Sequence, residues 1–211
     1  MSKVAIQGNA LGTGTFTIAA PVGTGADRTL TLPDEAGTVL TSASSIPSSQ
    51  ITGSLGITMA DQWYVNTTFS GTTNPVVNWT RVGTTDGGGS LGSAMTESSG
   101  IFTFPETGIY HIHFQARILN TTGDRAVDIF INSTTDGGTS YSEATNSTQN
   151  LAIAASGTNV AHASCSFIFD VQNTSTHKVK FTTDVTNSFT EFNGGTDRIR
   201  TGAFFVRLGD T

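Results

Sequence analysis

Apolar and polar positions alternate with a period of two along most of this chain. Thr15-Phe16-Thr17-Ile18 and Thr29-Leu30-Thr31-Leu32 show it near the front. Alternation of this kind is the signature of a half-buried strand. Farther on, strand-like runs recur at Gln62–Thr68, Val76–Val82, Ile101–Phe104, Gly108–Leu119, Ala126–Asn132, Leu151–Ala154, Val160–Val171, Lys178–Thr183, Ser188–Phe192 and Gly202–Leu208. Clusters of Gly, Asn, Asp, Ser and Thr separate them at 84–90, 120–124, 133–140, 173–177 and 193–197. Eight to ten strands with turns at such spacing predict an all-β sandwich, jelly roll or barrel. No stretch of ten residues reads as an amphipathic helix.

Three regions follow from this pattern. Residues 1–41 hold short strand runs broken by glycine, with too few large side chains to bury a core alone. Their apolar positions, Val4, Ile6, Phe16, Ile18, Leu30 and Leu32, call for cover from other copies or another protein. Residues 42–56 are rich in Ser, with Pro47 and two Gly, the composition of an extended linker. Residues 57–211 are the part long enough for an ordinary core.

Composition narrows the function classes. Only 12% of the 211 residues are charged and 36% are hydrophobic, with 24 glycines and much Thr, Ser and Asn. A net charge of −6 with ten scattered Lys and Arg argues against nucleic-acid binding. No run of about 18 apolar residues occurs, so no membrane insertion is expected. Met1-Ser2-Lys3-Val4 is followed by no apolar stretch, so no secretory signal is expected. The single cysteine, Cys165, permits no internal disulfide and reads as a buried core residue.

Candidate chemistry is sparse. The one Gly-x-Ser-x-Gly spacing, Gly88-Gly89-Ser90-Leu91-Gly92, lies in a glycine-rich turn cluster with no helix expected after it, so it is no nucleophile elbow, and no spacing singles out a carboxylate pair among Glu97, Glu106, Glu143, Glu191 and the nearby Asp residues. The expectation is a non-enzyme without cofactor, resident metal or catalytic residues. Thr84-Thr85-Asp86-Gly87-Gly88 and Thr134-Thr135-Asp136-Gly137-Gly138 echo each other. With one carboxylate each they read as tight turns, with calcium loops as the alternative. His162 and His177 are isolated and expected at the surface. Exposed aromatics stack on sugars, and Tyr141, Phe189 and Phe192 are the loop aromatics available for that, with packing in the core or a trimer the favoured reading for them.

Two segments carry resemblances. Phe104-Pro105, then Gly108-Ile109-Tyr110 leading a long strand, resembles the globular heads of the tumour necrosis factor and complement type. The closing run Thr201-Gly202-Ala203-Phe204-Phe205-Val206-Arg207-Leu208 is similar to the last strand of those heads. The resemblance implies a ten-stranded jelly roll that associates as a tight homotrimer. Period-two alternation puts Tyr110, Ile112 and Phe114 on the interior face, and Phe204 and Val206 are expected in the same core. Ile109, His111 and His113 share the other face, which in the resembling heads lines the threefold axis. Three copies of two histidines there would offer a site for an ion or a pH response.

The front segment resembles something else. Gly12-Thr13-Gly14-Thr15-Phe16-Thr17-Ile18-Ala19-Ala20-Pro21, Arg28-Thr29-Leu30-Thr31-Leu32-Pro33-Asp34 and Ala36-Gly37-Thr38-Val39 are similar to a repeat of bacteriophage tail-fibre and structural proteins. Ile46-Pro47-Ser48-Ser49-Gln50-Ile51-Thr52-Gly53 is similar to linkers in those fibres. Together the resemblances imply a virion protein. Its trimerising β segment would attach to another virion protein of the tail, baseplate or capsid, and its jelly-roll heads would bind host-surface glycan. The favoured placement is a short tail-associated fibre. The alternatives are a capsid decoration or head-fibre protein, and a secreted cytokine-like or lectin-like head.

Overall fold

A computed structural model describes residues 56–84, 88–120, 123–152, 157–196 and 198–211. The chain divides into Met1–Ile46 and Pro47–Thr211. The proposed attachment residues Val4, Ile6, Phe16, Ile18, Leu30 and Leu32, and all of the linker but Gly56, lie outside the described residues.

The described residues form twelve strands and no helix. In chain order they are β1 (Met59–Val65), β2 (Phe69–Ser70), β3 (Trp79–Arg81), β4 (Thr96–Ser98), β5 (Ile101–Thr103), β6 (Gly108–Asn120), β7 (Ala126–Thr134), β8 (Ser142–Asn150), β9 (Asn159–Val171), β10 (Lys178–Val185), β11 (Glu191–Phe192) and β12 (Gly202–Gly209). They build two antiparallel sheets. The larger runs β2-β11-β6-β12-β1-β3, with β9 along the other side of β6. The smaller runs β4-β5-β10-β7-β8. Neighbours in each sheet are mostly distant in sequence, which is the jelly-roll arrangement.

The 13-residue β6 shows why the pattern was readable. Its residues alternate buried and half-buried from end to end. Tyr110, Ile112, Phe114, Ala116 and Ile118 point inward and are fully buried. They meet Val127, Ile129, Ile131, Val179 and Phe181 of the smaller sheet in one core. Aromatic rings fill its centre. Phe114 lies 4.7 Å from Phe181, and Phe102 lies 5.1 Å from Phe205, centroid to centroid. Each such ring contributes roughly 1.5–3 kcal/mol by leaving water.

Two expectations for the closing strand need correction. Phe204 and Val206 are not in the core. Ala203 and Phe205 take the inward positions of β12, while Phe204 and Val206 sit half-buried on the opposite face. The register explains it: Phe205 pairs with the inward Ile112, and Phe204 pairs with His113. Three consecutive apolar residues, Phe204-Phe205-Val206, carry no period-two signal of their own, so only pairing decides which face each takes.

One turn residue also differs from expectation: His177 is buried, its ring 5.5 Å from that of Phe169. Phe192 of β11 takes the core position favoured for it, fully buried and stacked on Phe69 at 4.9 Å and 12°. The run 151–154 is not a strand at Leu151 and Ala152, and its last two residues lie outside the described set.

One buried carboxylate anchors β1. Asp61 points into the sandwich, 3% exposed. Its Oδ2 accepts hydrogen bonds from Trp63 Nε1 at 3.0 Å, Met95 N at 3.0 Å and Arg81 Nε at 3.2 Å. A buried carboxylate is tolerable only when satisfied in this way. The Arg81 guanidinium also lies over the Trp63 ring, 4.6 Å from its centroid.

Candidate functional site on the exposed face of the larger sheet

The residues that turn away from the core on β9, β6, β12 and β1 form one surface. Strand register arranges them in rows. Ile168, His111, Val206 and Ala60 lie abreast. Ser166, His113, Phe204 and Gln62 form the next row. Ser164, Gln115, Gly202 and Tyr64 form the third. These three rows contain no Asp, Glu, Lys or Arg. Charged side chains enter only toward the ends, with Asp170 opposite Ile109 and Arg117 opposite His162.

The apolar members are open to solvent in the single chain. Ile168 is 53% exposed, Val160 51% and Leu208 48%. Phe204, Val206 and Ile109 are half-buried. The outer face of the smaller sheet differs. There Asp128 pairs with Asp184, and Lys180 pairs with Asn132. One face is built for water, and the other carries apolar rows of the kind that partners cover.

His111 and His113 sit in the middle of these rows, two residues apart on the same side of β6. His113 Nδ1 shares a 2.9 Å hydrogen bond with Ser166 Oγ, and its ring lies 5.8 Å from the Phe204 ring. Partial burial, and then the neighbouring His111, hold the His113 imidazole below its ordinary pKa. Its neutral form is therefore favoured. The structure thus brings Ile109, His111 and His113 onto one face, and adds Phe204, Val206 and Ile168, which were not assigned to it from sequence. The cross-strand pairs of β6 with β9 and β12 are the missing signal.

The other candidates are scattered. Phe192 is unavailable to a ligand because it is core. Tyr141 is half-buried under the Lys180 ammonium, 4.4 Å from the ring centroid. Phe189 is 70% exposed and is the one of the three aromatics that presents its ring to solvent.

The Asp136 loop is a turn. Its carboxylate accepts from Ser140 N and Ser140 Oγ, from Thr134 Oγ1 and from Gly138 N, which holds its pKa well below the usual carboxylate range. Those donors occupy the oxygens that a calcium ion would need. Among the described residues, no three His, Cys, Asp or Glu side chains are grouped to hold a metal. Cys165 faces inward on β9, and burial pushes its thiol up to about 12.

No protein-family model matches this chain, and no curated protein matches it. Solved structures do. The chain is similar to Eiger TNF from S. frugiperda, with TM-score 0.56 and 12% identity, over 74% of this chain and 96% of that one. It is also similar to murine APRIL at pH 5.0, with TM-score 0.52 and 12% identity, over 73% of this chain and 100% of that one. At such identities the likeness is one of fold. The described part of the chain is an all-β jelly roll of the tumour necrosis factor type.

Proposed function

We propose that this protein is a non-enzymatic structural component of a bacteriophage virion, whose heads assemble as a homotrimer through the exposed face of the larger sheet. The observation that carries the trimer is the set of uncharged rows around Ile168, His111, Val206 and Phe204. Surfaces of this kind are covered in the working assembly. Two further features support the reading. The edge strand β8, Ser142–Asn150, lies beside β9 and carries no large apolar side chain, a strand suited to the rim of an interface. The glycine- and threonine-rich residues 1–41, poor in large apolar groups, would gain a core from threefold association.

The virion assignment is supported by the tail-fibre-like front segment and linker. In this reading residues 1–41 grip another virion protein, residues 42–56 space the head from it, and three heads per anchor engage a host-surface glycan by avidity. A tail or baseplate position fits a glycan-binding head. A capsid position is the second reading.

Deletion of residues 1–41 tests the anchor. The expected product is a soluble trimeric head that no longer joins particles, and continued incorporation contradicts the assignment. Copy number per particle separates the two placements, since dozens of chains fit a tail and hundreds fit a shell.

A further inference from the structure

The uncharged rows hold two imidazoles at their centre, those of His111 and His113. They lie on the same side of β6, about 7 Å apart along the strand. Their surroundings follow from register. On β9, Ser166 pairs with His113 and Ile168 with His111. On β12, Phe204 pairs with His113 and Val206 with His111. Ile109 and Gln115 flank the two on β6 itself. Beyond β12, strand β1 brings Ala60, Gln62 and Tyr64 to the same rows, and Tyr64 is the one ionisable side chain among them.

Charge enters only at the ends of this face. Past His111 the first carboxylate is Asp170, which pairs with Ile109 and accepts a 3.0 Å hydrogen bond from Gln172 Nε2. Past His113 the first cation is Arg117, four residues along β6 and opposite His162. Arg207 of β12 pairs with the inward Tyr110 and is engaged at the end of the sheet by Thr107, Thr58 and Asp210. A proton on His113 therefore has no carboxylate in its own row or in either neighbouring row to answer it. In the single chain, water solvates that charge. Between copies of the same uncharged face, water is excluded and the charge is costly.

We propose that His111 and His113 make the self-association of this face acid-sensitive: the trimer holds while the imidazoles are neutral and loosens as they take up protons. The inference rests on the homotrimer proposed above and adds its regulation. The sign follows from linkage. Assembly favours the neutral rings, so separated chains bind more protons than assembled ones. Affinity is complete above about pH 6.5 and is lost as pH falls below it. Partial burial, and then the neighbouring His111, already hold the His113 imidazole below its ordinary pKa in the single chain, so its share of the response extends to lower pH. Each trimer gathers two such rings from each of three copies, so the effects multiply. The chain's four histidines are His111, His113, His162 and His177, and residues 1–41 contain none. An acid response in this range is therefore a property of the head.

The test is fluorescence-detected sedimentation of the full-length protein, labelled at its N-terminus and diluted from micromolar to nanomolar concentration. It is run at about pH 7.5 and about pH 5.5, on either side of the ordinary histidine range, at fixed ionic strength. Circular dichroism at both pH values checks that the sandwich stays folded. Wild type is expected to associate at least about a hundredfold more weakly at the lower pH, because three chains take up protons on separating. The double variant His111→Gln with His113→Gln should associate equally at both. Each single variant keeps one imidazole and should show part of the response, which keeps the test valid if the double variant fails to fold. His162→Gln, at the end of the face, should keep the wild-type response. Equal wild-type affinity at the two pH values leaves the trimer standing and overturns the switch. So does a full response in the double variant or in both single variants, or its loss in His162→Gln. A wild type that is a single chain at the higher pH overturns the trimer and the switch together.

Discussion

His113 Nδ1 and Ser166 Oγ are joined across the β6–β9 pair by a 2.9 Å hydrogen bond, on the sheet face that points away from the core. The bond places an imidazole whose pKa lies below its ordinary value inside an uncharged surface. The unfolded chain therefore takes up this proton at a higher pH than the folded one. The stability linked to His113 is complete above about pH 6.5 and is lost as pH falls through the lowered folded pKa. We predict that the thermal midpoint falls between about pH 7.5 and 5.5, and that His113→Gln makes the fall shallower. Superimposable pH profiles for the two proteins would count against the assignment.

Asp61 gathers three donors from three different segments onto one buried oxygen. Asp61→Ala would strand the Trp63 indole N–H and the Met95 amide without an acceptor. Each loss costs about 1–3 kcal/mol, so we expect a total of about 2–6 kcal/mol in urea unfolding. Asp61→Asn keeps an acceptor oxygen and should cost less. Equal stability of wild type and the alanine variant would refute the role given to this carboxylate.

Phe189 and Phe192 sit three residues apart and should behave oppositely. Phe192→Ala removes a fully buried ring stacked on Phe69 and should cost about 3–5 kcal/mol. Phe189→Ala alters a ring that is 70% exposed and should change stability by less than about 0.5 kcal/mol. Chemical denaturation of both variants decides. Similar losses would mean that the loop packs differently.

Cys165 should be chemically silent in the folded protein. Its thiol is buried and raised to about 12, so thiolate is scarce at pH 8. A thiol reagent should label it only after denaturant is added. Rapid labelling of native protein would show that β9 opens readily.

Legibility in the sequence followed side-chain alternation. β6 announces itself because Tyr110, Ile112, Phe114, Ala116 and Ile118 recur at every second position with half-buried residues between them. β8 does not, because Ser-Glu-Ala-Thr-Asn-Ser-Thr-Gln-Asn presents no large apolar side chain on either face. It is an edge strand that covers little of the core, so its existence is dictated by pairing with β7 rather than by its own composition. The exposed face was half legible for the same reason. Ile109, His111 and His113 share a side within one strand, which sequence can tell. That Phe204, Val206 and Ile168 join them depends on register between strands far apart in the chain, which sequence alone does not encode locally.

In the proposed homotrimer the uncharged rows of the larger sheet bind a second and a third copy of this chain. Sedimentation equilibrium at micromolar concentration tests it most directly, on the wild type and on Phe204→Glu. Wild type should sediment near 66 kDa, three times its 22.0 kDa chain mass. Phe204→Glu, which brings like charges together at the interface, should weaken association by at least about a hundredfold, near 2.7 kcal/mol, while circular dichroism shows the sandwich intact. A folded wild-type species of 22.0 kDa at that concentration, or a Phe204→Glu protein that remains trimeric, would contradict the account.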